Sequence, residues 1–286
     1  MTPGALSRLL FAGFPLLRRS PLIVLAWGIP LLPVSMAGTV LSGLYSGVKG
    51  PWAYIAPRGS GGWLQFGLLF SEFLTMCLWM ALMAAAVFRA VADPDRTDGR
   101  WLRLGADELR LTLVWVVTFV VGLIGMFVIV IIVSAVGQSV VRGFTNATLV
   151  AGVVVTTVAL ARFVLAPAIT VFEQRVAIGD SWRLTRGRYG LAVACALLFL
   201  VAYGGDEWLL MALGDVVRGG SPEATIGAGP FLLELALYPF KPEHMVPDLV
   251  RVVTGTIAGV IAYAPMAVLY RDLTGRNPAD QAAVFD

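Results

Sequence analysis

The chain predicts an all-α polytopic membrane protein, a bundle of about six transmembrane helices with short interfacial helices and no separate soluble domain. Three observations carry this reading. Hydrophobic residues make up 58% of the chain and charged residues 14%, against about 45–50% and about 25% in ordinary soluble domains. Mean hydropathy is +0.82, and the apolar residues fall in runs of about 20, the length needed to cross about 30 Å of hydrocarbon. The runs also lack the ten-residue alternation of a membrane β-barrel, so each must satisfy its backbone hydrogen bonds internally, as a helix.

In order, the spans read as about 21–40, 63–87, 111–136, 149–171, 190–209 and 252–269, within a single domain of residues 1–286. Ahead of the first, Leu6, Leu9, Leu10, Phe14 and Leu17 interleave with Arg8, Arg18 and Arg19, which predicts a helix lying on one leaflet. Arg18 and Arg19 before an apolar run imitate a signal peptide, but that run is long enough to span and contains Pro30 and Pro33, so it reads as a retained helix. Pro167 and Pro265 each remove a backbone donor and predict kinks in the fourth and sixth spans. These two spans share a grammar: "APAITVFE" and "APMAVLYR" each set an aromatic five residues after the proline (Phe172, Tyr270) and a charge six after it (Glu173, Arg271). "GTIAG", Gly255 to Gly259, is a small-xxx-small face and predicts a close helix contact within the chain. Before the sixth span, "PFLLELALYPF" is too short to cross and reads as an interfacial or re-entrant helix, and "KPEHMVP" reads as a surface loop holding the lone histidine, His244.

Orientation follows from the basic residues. With a cytoplasmic N-terminus, 14 of the 21 Lys+Arg fall on the inner side, 6 on the outer, and Arg162 inside the fourth span. This predicts both termini cytoplasmic. The net charge of +3 is thereby explained by loop asymmetry, and no nucleic-acid partner is expected. Cys77 and Cys195 lie in apolar runs and read as packing residues.

No catalytic residue can be named. The chain has no phosphate-binding Gly-rich motif, no HExxH and no GxSxG, and His244 lacks a nucleophile partner. Asp206, Glu207 and Asp215 form an acidic group without a histidine, so neither a metal nor another cofactor is expected. The sharpest anomalies are Glu72 in the second span and Arg162 in the fourth, because a central intramembrane charge costs about 2.5–3.5 kcal/mol. Counted from the outer ends they differ in depth by about 6 Å, which favours an intramembrane ion pair; a polar cavity touching substrate or headgroup, and separate snorkelling, are the alternatives. The turn "DSWRLTRGRYG" places Arg183, Arg186 and Arg188 where they enforce orientation and attract anionic lipid, with Trp182 and Tyr189 at headgroup depth. These five residues are the candidate headgroup contact, and Asp180 or Ser181 is the expected cap of a short helix there.

At "RFVLAPAITVFEQRVAIGDSWRLTRGRYG" and "VLYRDLTGR" the chain resembles the membrane domain attached to some bacterial glycerophosphoryl diester phosphodiesterases, and related stand-alone six-span proteins of unknown function. Arg162, Pro167, Glu173, Ser181, Trp182, Leu184, Thr185, Gly187, Tyr270, Asp272 and Leu273 carry the likeness, which covers the second half of the chain and reaches the first half only in topology. The resemblance implies a bacterial inner-membrane protein whose catalytic phosphodiesterase, when present, is a separate domain. After "RDLTGR" only ten residues follow, so the diesterase activity is not carried over.

The expectation is therefore a non-catalytic integral inner-membrane protein, an accessory or scaffold module contacting inner-leaflet lipids, anionic ones among them, or a membrane-protein partner. The alternative is a transporter or lipid-moving protein with a polar cavity around Glu72 and Arg162.

Overall fold

The computed structural model describes residues 3–49, 61–93, 105–137, 145–218 and 242–275. Among these residues there is helix and turn but no strand. Two short helices, α1 (Pro3–Leu10) and α2 (Phe14–Arg19), precede α3 (Pro21–Lys49), α4 (Gly61–Ala92) and α5 (Ala106–Gly137). Next come α6 (Thr145–Leu160), a 3-10 turn (Ala161–Phe163), α7 (Ala166–Phe172), α8 (Ile178–Thr185), α9 (Tyr189–Arg218) and α10 (Pro242–Thr274). Five segments are long and apolar enough to cross a membrane: Leu69–Ala92, Ala106–Gly125, Gly152–Phe172, Tyr189–Leu213 and Met245–Thr274; Pro21–Ala37 is a shorter apolar helix. The architecture is an all-α polytopic membrane bundle.

Lipid is as apolar as leucine, so helices in a membrane associate by close packing of small residues and by polar contacts rather than by expelling water. The chain follows that logic. On α4, Ala81, Ala84, Ala85 and Ala86 are all fully buried, which lets neighbouring backbones approach. On α10, a Cβ at Gly255 would lie 2.8 Å from the Trp79 ring, and one at Gly259 would lie 2.8 Å from Met83. The "GTIAG" face is thus the contact between α10 and α4 that its spacing predicts.

At the centre of the bundle five helices bring aromatic rings together. Tyr263 of α10 meets Phe88 of α4 edge-on at 6.0 Å and Trp115 of α5 at 5.9 Å, while Phe199 of α9 stacks on Trp115 at 5.5 Å. From α7, Phe172 reaches Phe88 at 6.1 Å. Such pairs contribute about 0.5–1.5 kcal/mol each beyond simple area burial. The opposite faces point outward: Leu123, Ile124, Phe127 and Ile131 of α5 are all exposed, as lipid-facing positions should be.

Several expectations are corrected. The N-terminal helix does not simply lie on a leaflet: Leu9 is buried, and a Cβ at Gly13 would meet the Val260 carbonyl oxygen at 2.8 Å. The pair α1–α2 docks against the middle of α10, with Arg8, Phe11, Phe14, Arg18 and Arg19 among the residues left outward. His244 is not in a loop but in the first turn of α10, which starts at Pro242 and continues through Pro247. Pro242 is tolerated at the first position of the helix, where the missing N–H has no intrahelical acceptor. The two span prolines behave differently. Pro265 lies within a continuous α10, whereas the fourth span breaks at the 3-10 turn just before Pro167. The segment "PFLLELALYPF" lies outside the described residues.

Candidate functional site at the broken fourth span

The break begins with local chemistry. Pro167 has no N–H and its ring opposes the carbonyl four residues back, which weakens the helix ahead of it, and here residues 161–165 leave the regular α-helix. The backbone tightens instead, with Val164 N–H donating to the Ala161 carbonyl at 3.2 Å. Backbone groups orphaned inside an apolar bundle need other partners, and α8 supplies them. The Ser181 hydroxyl donates to the Arg162 carbonyl at 2.7 Å and accepts from Leu165 N–H at 3.2 Å. Thr185 Oγ1 donates to the Ser181 carbonyl at 2.8 Å. Both side chains are fully buried. Ser181 therefore bridges the gap in a neighbouring helix rather than capping its own, which starts three residues before it at Ile178. The expected capping role for Asp180 or Ser181 is corrected accordingly.

The chain reaches α8 by a reversal at Gln174, which takes a left-handed φ of 51°. Carboxylates fasten this corner. Arg175 bonds Glu173 at 2.7 Å and Asp180 at 2.6 Å, and Asp180 also accepts from Arg183. On the α10 side, Tyr270 O–H donates to Glu173 Oε1 at 3.2 Å, and the Tyr270 ring stacks on Phe172 at 5.2 Å with a 10° interplanar angle. The two aromatics that the Ala-Pro grammar sets at matching positions thus meet face to face.

The site proper is the Arg162 side chain. Its guanidinium carbon lies 4.6 Å from the centroid of the Trp182 ring and 4.8 Å from that of Tyr189. Trp182 also packs on Phe163 at 5.6 Å, and the Tyr189 hydroxyl donates to the Val158 carbonyl at 2.6 Å. A cation over an aromatic face gains about 0.5–2 kcal/mol depending on desolvation. Arg162 is half-buried, whereas Arg183, Arg186 and Arg188 are exposed. Of the predicted headgroup residues, Trp182 and Tyr189 are brought onto Arg162, Arg183 is tied to Asp180, and Arg186 and Arg188 face outward. The backbone of Glu72 belongs to α4, but its side chain lies outside the described residues, so the pairing expected for it with Arg162 is not described.

One polar cluster was missed by sequence reasoning. Arg89, near the end of α4, is 3% exposed and contacts Glu108 at 2.5 Å and Asp107 at 3.5 Å, with Glu108 only 1% exposed. Arg110 joins Asp107 at 3.1 Å. Glu108 also accepts from Gly105 N–H at 2.9 Å, the return bond of a capping box at the start of α5. The signal was legible in "GADELR", where two acids open a helix whose positive end they favour.

Comparison with known proteins gives no matching family model, no matching curated relative and no matching solved structure.

Proposed function

We propose that this chain is a non-catalytic accessory or scaffold protein of a bacterial inner membrane, with both termini cytoplasmic, that contacts anionic lipid through the α8 turn. The observation carrying this is the combination of exposure and anchorage. Trp182 is 47% exposed and the Arg183 side chain 80% exposed, yet the helix bearing them is fixed to the fourth span by the buried Ser181. Basic and aromatic side chains held at the end of a span match the composition of a membrane interface. The residues on which the chain resembles the membrane domain of glycerophosphoryl diester phosphodiesterases fall on this unit, among them Arg162, Pro167, Ser181, Trp182 and Thr185.

A transporter reading draws on a different observation. The Tyr203 and Tyr263 hydroxyls are buried against each other, with Asp206 buried on the same helix as Tyr203, a polar group set in an apolar interior.

Native mass spectrometry of the purified protein with its co-purifying lipids tests the proposal. Selective retention of anionic phospholipid is expected. Retention without regard to headgroup would overturn the lipid-contact role and leave a protein partner as the scaffold's target. The orientation is tested by cysteines placed near Arg186 and near Arg96. Both should resist an impermeant thiol reagent in intact cells.

A further inference from the structure

Arginines inside the candidate spans are satisfied in different ways. Arg89, Arg110 and Arg251 each meet a carboxylate, and Arg271 occupies the last turn of α10. Arg162 meets no carboxylate among the described residues; it is held by the rings of Trp182 and Tyr189. Aromatic faces attract a cation but take up few of its donors. A guanidinium has five N–H donors in its plane and no acceptor, and among the described residues nothing neutralises Arg162 or takes up those donors. It is half-buried rather than sealed, and exposed Arg186 and Arg188 lie close to Tyr189 in the chain.

From this geometry we propose that Arg162, Trp182 and Tyr189 form a binding site for a phosphate group, with Arg162 as its hydrogen-bonding anchor and Arg186 and Arg188 adding positive potential. A phosphate presents paired oxygens that the planar fork of arginine engages two at a time, which a lysine ammonium cannot do. Partial burial strengthens the bond by lowering the local dielectric. Preorganisation adds to this. The Arg162 carbonyl is pinned by Ser181 and the Tyr189 hydroxyl by Val158, so little conformational freedom remains to be lost when the anion arrives. The proposal takes its lipid source, a phospholipid headgroup, from the lipid-contact reading above; the phosphate chemistry itself does not depend on that reading.

The test uses the full chain in detergent with three probes: phosphatidylglycerol, diacylglycerol as a phosphate-free lipid, and inorganic phosphate. Binding is read by native mass spectrometry and by thermal protection, and helicity by circular dichroism. Wild type should retain phosphatidylglycerol over diacylglycerol. Arg162→Lys should weaken that retention about tenfold, the range expected for losing a charge-assisted hydrogen bond, while the paired Arg186→Lys and Arg188→Lys change should stay within about threefold because charge alone suffices there. Trp182→Leu, at an exposed position, removes half of the aromatic support without touching charge and should also weaken retention, which keeps the test valid if Arg162→Lys fails to fold. Loss on the paired lysine change, with Arg162→Lys and Trp182→Leu both unaffected, would overturn this site and leave the lipid-contact reading standing. Protection by inorganic phosphate alone, lost in Arg162→Lys, would uphold the site and overturn the lipid source. No preference of wild type for either phosphate probe would overturn both.

Discussion

Arg89 and Arg162 both lie in apolar helices, and opposite chemistry accommodates them. Arg89 is sealed in the bundle against Glu108 and Asp107; Arg162 rests on the rings of Trp182 and Tyr189. Carboxylates neutralise the first, so it has little left to offer another molecule. Among the described residues, nothing cancels the charge of the second or takes up its donors. An intramembrane charge is therefore not in itself a sign of function; what matters is whether its partner cancels it. By that criterion the cluster around Arg89 is a structural joint between α4 and α5, and the broken fourth span is the candidate for a working site.

The largest effect should come from the neutralised arginine. Glu108→Gln leaves buried Arg89 with only the more distant Asp107, 3.5 Å away, and losing the close partner of a buried pair costs up to about 3–5 kcal/mol. Unfolding in mixed micelles would report it, and a loss below about 1 kcal/mol would mean that Arg89 is not held as a buried pair. A smaller effect is expected at the broken span. Ser181→Ala strands the Leu165 N–H and leaves the Arg162 carbonyl only the long contact from Thr185 Oγ1 at 3.4 Å, at about 1–3 kcal/mol. Thr256→Val is the control, because Thr256 is equally buried but its hydroxyl donates only to Val252 within its own continuous helix. It should cost less than Ser181→Ala in the same assay, and equal costs would deny the bridge its special role.

The smallest effect is the response to acid. The Asp180 carboxyl is held below its ordinary value of 3.8 by the hydrogen bond from Arg183 first, with Arg175 adding to it. A group whose folded pKa is depressed stabilises the fold above its unfolded value, and that contribution disappears as pH falls through the folded one. The difference in melting temperature between wild type and Asp180→Asn should therefore be present near neutrality and vanish in acid below the carboxylate range. A difference that grew on acidification would contradict this sign.

Much of the architecture was legible because lipid imposes a simple rule, one long apolar run for each crossing. Apolar length says less about helix ends. At two helix starts the helix extends past the predicted span where polar side chains find partners, as Asp107 and Glu108 do in α5 and Asp248 does in α10, where it accepts from Ser35 at 2.8 Å. The two Ala-Pro segments show a second limit. Their shared grammar anticipated matched positions for Phe172 and Tyr270, but not that one helix would break and the other continue. That outcome accompanies a buried serine from a separate helix, a long-range bond that no local pattern encodes. The same limit applies to the site. Trp182, Tyr189 and Arg162 each stood out in the sequence for reasons of their own, but their meeting depends on the reversal at Gln174 and the docking of α8.

The account turns on what holds Arg162, and a pair of double-mutant cycles measures that directly. One cycle combines Arg162→Gln with Trp182→Leu, the other Arg162→Gln with Glu72→Gln, each read as unfolding free energy in the same micelles. The predicted result is a coupling of about 0.5–2 kcal/mol between Arg162 and Trp182, and additive losses, within about 0.5 kcal/mol, for Arg162 and Glu72. Additivity with Trp182 together with strong coupling to Glu72 would contradict it, returning Arg162 to the class of neutralised arginines that Arg89 exemplifies.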